Sequence, residues 1–132
     1  MVVNNSVFPI DNYGMWREVC IPPGSFGRRA ALFLDRDGTL IELVNYIEKA
    51  EDVKPIPDAV SLIVNARSHN MAIILVTNQS GIGRGYFDWG AFASVQHAVN
   101  SAVALAGGEI DAIYACPALP ESNAMCRKPN PG

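Results

Sequence analysis

The chain has 132 residues, of which 49% are hydrophobic and 17% charged, with a formal net charge of −3. That is about one domain at ~150 residues per domain, and its apolar share excludes a disordered charged tail. The acidic balance gives no support to a nucleic-acid or anionic-membrane binder.

Residues 1–28 read as an irregular leader. Pro9, Gly14, Pro22, Pro23, Gly24 and Gly27 interrupt them without helical or alternating periodicity. No basic stretch followed by a long apolar one opens the chain, so no secretory signal is expected. Residues 30–34 are a short apolar run of the kind a buried parallel strand shows. A mixed loop follows to Pro55 or Pro57. Pro57-Asp58 then opens a helix with Val60, Ile63, Val64 and Arg67 on related turns, and Asn70 closes it. Residues 71–76 form the second buried strand. They are the longest apolar run, far short of the ~20 residues of a membrane-spanning helix.

A Gly-rich loop carries Gly81, Gly83 and Gly85. Asp88 caps a second helix to about Ala106, with Phe92, Val95, Val99 and Val103 at helical spacing. Gly107-Gly108 stop it, and residues 110–115 are the third strand. Trp16 and Trp89 read as packing residues. Cys20, Cys116 and Cys126 are too few and too odd in number for a disulfide framework, so a reducing cytoplasm is expected.

Strand, helix, strand, helix, strand is the layout of an α/β fold, a Rossmann-like doubly wound parallel sheet. Ligands of such sheets sit beyond the carboxyl ends of the strands. The segments at 35–39, 77–85 and 116–128 should therefore converge. In the first, Asp35 and Asp37 are two apart, and in extended backbone they project to the same side. Two carboxylates aimed at one point need a cation or a shared proton. Mg²⁺ suits them, since it takes one or two carboxylates plus substrate phosphate. An ordinary Asp-Gly turn would look the same in isolation. In the second, Thr77, Asn78, Gln79 and Ser80 offer neutral donors to phosphoryl oxygens. In the third, Lys128 can offset charge on a transferring phosphoryl group and Arg127 can grip a phosphate. The loop at 81–85 lacks the Lys-Ser/Thr of a P-loop.

Taken together, Phe33-Leu34-Asp35-Arg36-Asp37-Gly38-Thr39-Leu40, Val76-Thr77-Asn78-Gln79-Ser80-Gly81-Ile82 and Cys126-Arg127-Lys128-Pro129-Asn130-Pro131-Gly132 resemble the first three motifs of the haloacid dehalogenase superfamily of aspartyl phosphatases. The narrower resemblance is to its D,D-heptose 1,7-bisphosphate phosphatase and histidinol-phosphatase branch. It covers residues 29–132, the phosphatase core, and not the leader.

The resemblance implies a Mg²⁺-dependent phosphomonoesterase working through an aspartyl-phosphate. Asp35 would be the nucleophile and Asp37 the general acid and base. Asp35 and the Asp37 carbonyl would hold Mg²⁺. Thr77 and Lys128 would stabilise the phosphoryl group. Asn78, Gln79, Ser80, Arg127 and, more loosely, Tyr46 would contact substrate. The first expected substrate is D-glycero-D-manno-heptose 1,7-bisphosphate. The alternatives are histidinol phosphate, or a catalytically incomplete phosphate-binding fragment.

Two departures shape further expectations. The branch's zinc loop has three Cys and one His, and here only Cys116 and Cys126 match. Ala118 and Ala124 stand at the other positions. Two thiolates do not close a tetrahedral site, so a zinc-free loop is expected. The family's fourth motif, with the acidic residues that complete the Mg²⁺ site, is absent. The sheet is therefore expected to be truncated after its third core strand, with no cap domain and weak activity. The first strand would become an exposed edge open to self-association.

Overall fold

A computed structural model describes residues 8–21, 27, 29–122 and 124–129. Part of the leader and the last three residues of the third motif, Asn130 to Gly132, lie outside the described residues. The elements are β1 (Trp16–Val19), β2 (Ala31–Leu34), α1 (Pro57–Ser68), β3 (Ala72–Asn78), α2 (Ser80–Gly83), α3 (Trp89–Leu105) and β4 (Ala112–Cys116), with single 3-10 turns at Ala50–Asp52 and Pro120–Ser122.

The four strands form one sheet in the order β1-β4-β3-β2. The β2, β3 and β4 strands are parallel, with Leu34 beside Leu75 and Leu75 beside Ile113. The expected strand–helix–strand–helix–strand order is thus present, and the second strand runs two residues further than the apolar run, through Thr77 and Asn78. Leu75 and Ile113 share one buried core with Ile63 of α1 and with Phe92, Val95 and Val99 of α3. Both crossover helices therefore lie on the same sheet face, as the one-directional order β2-β3-β4 requires. The second winding of a doubly wound sheet would begin on the far side of β2. Each fully buried Ile, Leu or Val here contributes ~1.5–3 kcal/mol.

Local chemistry sets the helix ends. Pro57 occupies the first turn of α1, where its missing N–H and fixed φ cost nothing. Asn70, at φ 60°, turns the chain out of the helix. Asp88 caps α3 as expected, its Oδ1 accepting from the Ala91 N–H at 2.9 Å.

Two sequence expectations need correction. The leader is not wholly irregular: β1 pairs antiparallel with β4, Trp16 beside Ala115. Trp16 is buried at the centre of an aromatic group, 5.6 Å from Trp89 and 4.9 Å from Phe92 between ring centroids. The burial of that one side chain holds a segment with no readable alternation. Second, the Gly-rich segment after β3 is not all loop, because residues 80–83 close one helical turn. Gly83 packs so closely on the loop after β4 that a Cβ there would collide with the Pro117 carbonyl oxygen.

Asp111, which no sequence pattern singles out, ties these elements together. It is buried beside β4, and its carboxylate accepts from the Ile73 N–H at 2.7 Å and from Arg67 of α1 at 3.0 Å. Its carbonyl accepts from the Cys20 N–H at the end of β1.

Candidate active site

The carboxyl ends of β2, β3 and β4 open into a cleft of about 270 Å³. Asp35, Asp37, Tyr46, Thr77, Asn78, Gln79, Ser80 and Lys128 all line it. The three expected segments therefore converge, and of the nine expected site residues only Arg127 stays off the cleft wall. Its guanidinium donates to the Ala118 carbonyl at 3.2 Å.

The chain leaves β2 through a tight turn in which the Arg36 carbonyl accepts from the N–H groups of Leu40 and Ile41 at 2.9 and 3.1 Å. Leu40 and Ile41 are fully buried and anchor the turn. Gly38, at φ 84°, supplies a backbone conformation that side-chain-bearing residues rarely adopt. The turn presents Asp35, half-exposed, at the mouth, and Asp37, about one-fifth exposed, deeper in.

Lys128 reaches across from the third segment. Its Nζ donates to Asp35 Oδ1 at 2.7 Å and to the Val76 carbonyl at 2.9 Å. Asn78 fixes the main chain behind it: the Lys128 N–H donates to Asn78 Oδ1 at 3.0 Å, and Asn78 Nδ2 donates to the Lys128 carbonyl at 3.3 Å. Asn78 thus orients the lysine as well as facing the cleft. Gln79 is buried, and its Nε2 donates both to Asp37 Oδ2 at 2.8 Å and to Thr77 Oγ1 at 2.9 Å.

Arg36 is the residue that sequence reasoning missed. It stands between the two aspartates, where the motif reading gave it no role, and it is fully buried. Its Nε and Nη2 grip both oxygens of Asp37 at 2.9 and 3.3 Å. Nη1 donates to Gln96 of α3 at 3.2 Å, and the guanidinium lies 5.0 Å from the Phe92 ring centroid. Its position inside the motif was the available signal. Its burial depends on α3 side chains some sixty residues away.

Hard-cation chemistry is compatible with this donor set. Asp35 keeps an oxygen that the lysine does not occupy, and the Asp37 main-chain carbonyl accepts no hydrogen bond among the described residues. Mg²⁺ needs only one or two such protein oxygens, taking the rest from water and phosphate. Among the described residues no group of three or more His, Cys, Asp or Glu forms a metal-holding cluster.

The cysteine expectation is overturned in one respect. Cys116 and Cys126 are joined by a disulfide, with Cα atoms 5.6 Å apart. The loop that follows β4 folds back on the strand end and brings the two thiols together. Cys20 is exposed and outside any disulfide. No helix among the described residues is long and apolar enough to cross a membrane.

No protein-family model matches the sequence. Individual proteins do. The Thermoplasma volcanium protein named probable D-glycero-D-manno-heptose-1,7-bisphosphate 7-phosphatase is 44% identical over 76% of this chain and 69% of its own length. The structure of a HAD-like phosphatase from Mesorhizobium loti superposes with a TM-score of 0.83 at 34% identity, covering 95% of this chain and 63% of that one. That coverage takes in most of the leader, so the likeness is not confined to residues 29–132. The D,D-heptose 1,7-bisphosphate phosphatase of Bordetella bronchiseptica, whose structure holds magnesium and phosphate, gives 0.72 at 32% identity over 78% of this chain and 58% of that one. The chain spans 57–69% of the length of the curated relatives it matches.

Proposed function

The chain belongs to the D-glycero-D-manno-heptose-1,7-bisphosphate 7-phosphatase family of HAD-like phosphatases, and we propose that it is a Mg²⁺-dependent phosphomonoesterase acting on a small sugar phosphate, with heptose 1,7-bisphosphate as first candidate. The observation that carries this reading is the single cleft in which Lys128 Nζ lies 2.7 Å from Asp35, with Asp37 and Thr77 on the same wall.

In this reading Asp35 attacks phosphorus, forming an aspartyl-phosphate as the ester P–O bond breaks. Asp37 gives its proton to the departing alkoxide. It then takes a proton from the water that attacks the aspartyl-phosphate, releasing inorganic phosphate and restoring Asp35. Lys128 and the Thr77 hydroxyl face the charge that develops on the phosphoryl oxygens. Gln79 and Arg36 hold Asp37 in register, Asn78 holds Lys128, and Ser80 and Tyr46 contact substrate, while Arg127, off the cleft wall, has no part in it. Mg²⁺, held by Asp35 and the Asp37 carbonyl, would offset the repulsion between the carboxylate and the incoming phosphate.

The reading includes a zinc-free loop after β4 and self-association through the β2 edge. It also includes a cytoplasmic setting, where the Cys116–Cys126 bond would be reduced. Nucleic acid and membrane have no part in it.

The test is Mg²⁺-dependent phosphate release from heptose 1,7-bisphosphate, histidinol phosphate and an aryl phosphate, with Asp35→Asn alongside. The expected result is release that is fastest on the heptose ester and abolished in Asp35→Asn. Release that survives the substitution would overturn the aspartyl-phosphate route.

A further inference from the structure

We propose that Tyr86 is a positioning residue for Tyr46, and that the pair forms an aromatic wall selecting esters with a sugar ring over bare phosphate. The proposal rests on the phosphate-ester reading of the cleft. Tyr46 lines that cleft with Asp35 and Lys128. Its backbone has φ 52°, a left-handed conformation that residues other than glycine adopt only at a cost. Such a residue persists where surrounding contacts fix it, and the contact on its ring is Tyr86. The two centroids are 4.9 Å apart with the planes at 81°, the favoured edge-to-face geometry.

Tyr86 comes from a different segment, immediately after Gly85, and is placed by its own N–H donating to the Gly81 carbonyl at 2.8 Å. Neither ring serves the core: Tyr46 is 41% exposed and Tyr86 56%. Two exposed rings locked together at the rim of a polar cleft present a π surface to whatever the phosphate carries. A pyranose or polyol offers C–H groups to such a surface while its phosphate sits against Lys128. Inorganic phosphate offers nothing to it.

The test is calorimetric titration, with Mg²⁺ present, of inorganic phosphate and of a hexose bisphosphate. Wild type, Tyr86→Ala, Tyr86→Phe and Tyr46→Ala are compared, each first checked for an unchanged urea midpoint. Tyr86→Ala should weaken the sugar ester about five- to tenfold, the scale of one lost aromatic contact, and leave phosphate within about twofold. Tyr86→Phe should restore the sugar affinity, because the ring edge is kept. Tyr46→Ala should lose as much as Tyr86→Ala. Equal losses for both ligands, or no loss for either, would overturn the proposal. Wild-type chain that binds neither ligand would instead overturn the phosphate-ester reading beneath it.

Discussion

The two aspartates of the first motif differ in their surroundings far more than their shared spacing suggests. Asp35 faces the cleft mouth and, among the described residues, bonds only the Lys128 side chain. Asp37 is gripped on both oxygens by a fully buried Arg36 and again by Gln79. A group that must pass a proton at a fixed point gains from such a frame, since small misplacements of catalytic groups slow reactions steeply. Arg36→Met should slow phosphate release about 10- to 100-fold, part of the ~10²–10⁴-fold that a general acid contributes. Arg36→Lys should recover little of it, because an ammonium cannot reproduce the two-pronged grip. Steady-state kinetics on both variants check this, and wild-type rates in Arg36→Lys would show that charge alone suffices. The acids, the amides and the lysine were legible because their residue types carry the chemistry directly. The role of Arg36 was not, because it exists only once α3 closes over the turn. Cys20 gives a second prediction at this scale. Cys20 lies at the surface, but partial desolvation of its sulfur, and then the nearby Glu18, Asp111 and Glu109, push the thiol from 9.0 up to about 11. A raised value means less thiolate at any pH below it. Alkylation by iodoacetamide at pH 8 should therefore run about 100-fold slower than for a thiol at the reference value, and rise about tenfold per pH unit up to about pH 10. Mass spectrometry of the Cys20 peptide measures the rate.

At the scale of elements, the strands and helices with strong apolar patterns were readable, and the connections between them were not. The apolar runs gave β2, β3 and β4, and the spacing of Phe92, Val95, Val99 and Val103 gave α3. The β1 strand was invisible because it has only four residues and one buried anchor, Trp16. Beyond the strand ladders, a single side chain beside β4 ties α1 to β3. The Asp111 carboxylate is buried and accepts from a main-chain N–H of β3 and from Arg67 at the end of α1. Removing it leaves the Ile73 N–H without its acceptor in the interior and Arg67 with only the exposed Glu109. Asp111→Ala should therefore cost about 2–3 kcal/mol of stability, the penalty for unsatisfied buried polar groups. Asn at this position should cost less, because it can still accept from the Ile73 N–H. Urea unfolding at neutral pH distinguishes the two. An Ala variant as stable as wild type would show that the carboxylate is solvated and its contacts incidental.

Among the described residues, the sheet is clothed by helices on one face. Both long helices pack against the side that carries Leu75 and Ile113. On the other side Phe33 stands 65% exposed, aligned with Ile74 on the neighbouring strand. Among the described residues β2 pairs with β3 alone, so one row of its main-chain donors and acceptors has no strand beside it. This edge was an expectation of the family resemblance rather than of pattern, because an apolar run looks the same in a central strand and at an edge. An open apolar edge is a template for a further strand, and proteins that must stay monomeric commonly place charge there. The strand here, Ala31-Leu32-Phe33-Leu34, carries none. The occupant we infer is a second copy of the same strand, set edge to edge about a two-fold axis, which would cover Phe33 of both chains. Sedimentation velocity across a dilution series should show a mass that rises with concentration in the wild type. Phe33→Lys should hold the chain monomeric, since two such lysines would meet across the axis while the core face of β2, formed by Leu32 and Leu34, is untouched. A wild type that stays monomeric throughout, or a lysine variant that associates as strongly, would remove the edge from consideration and leave Phe33 as an isolated exposed ring.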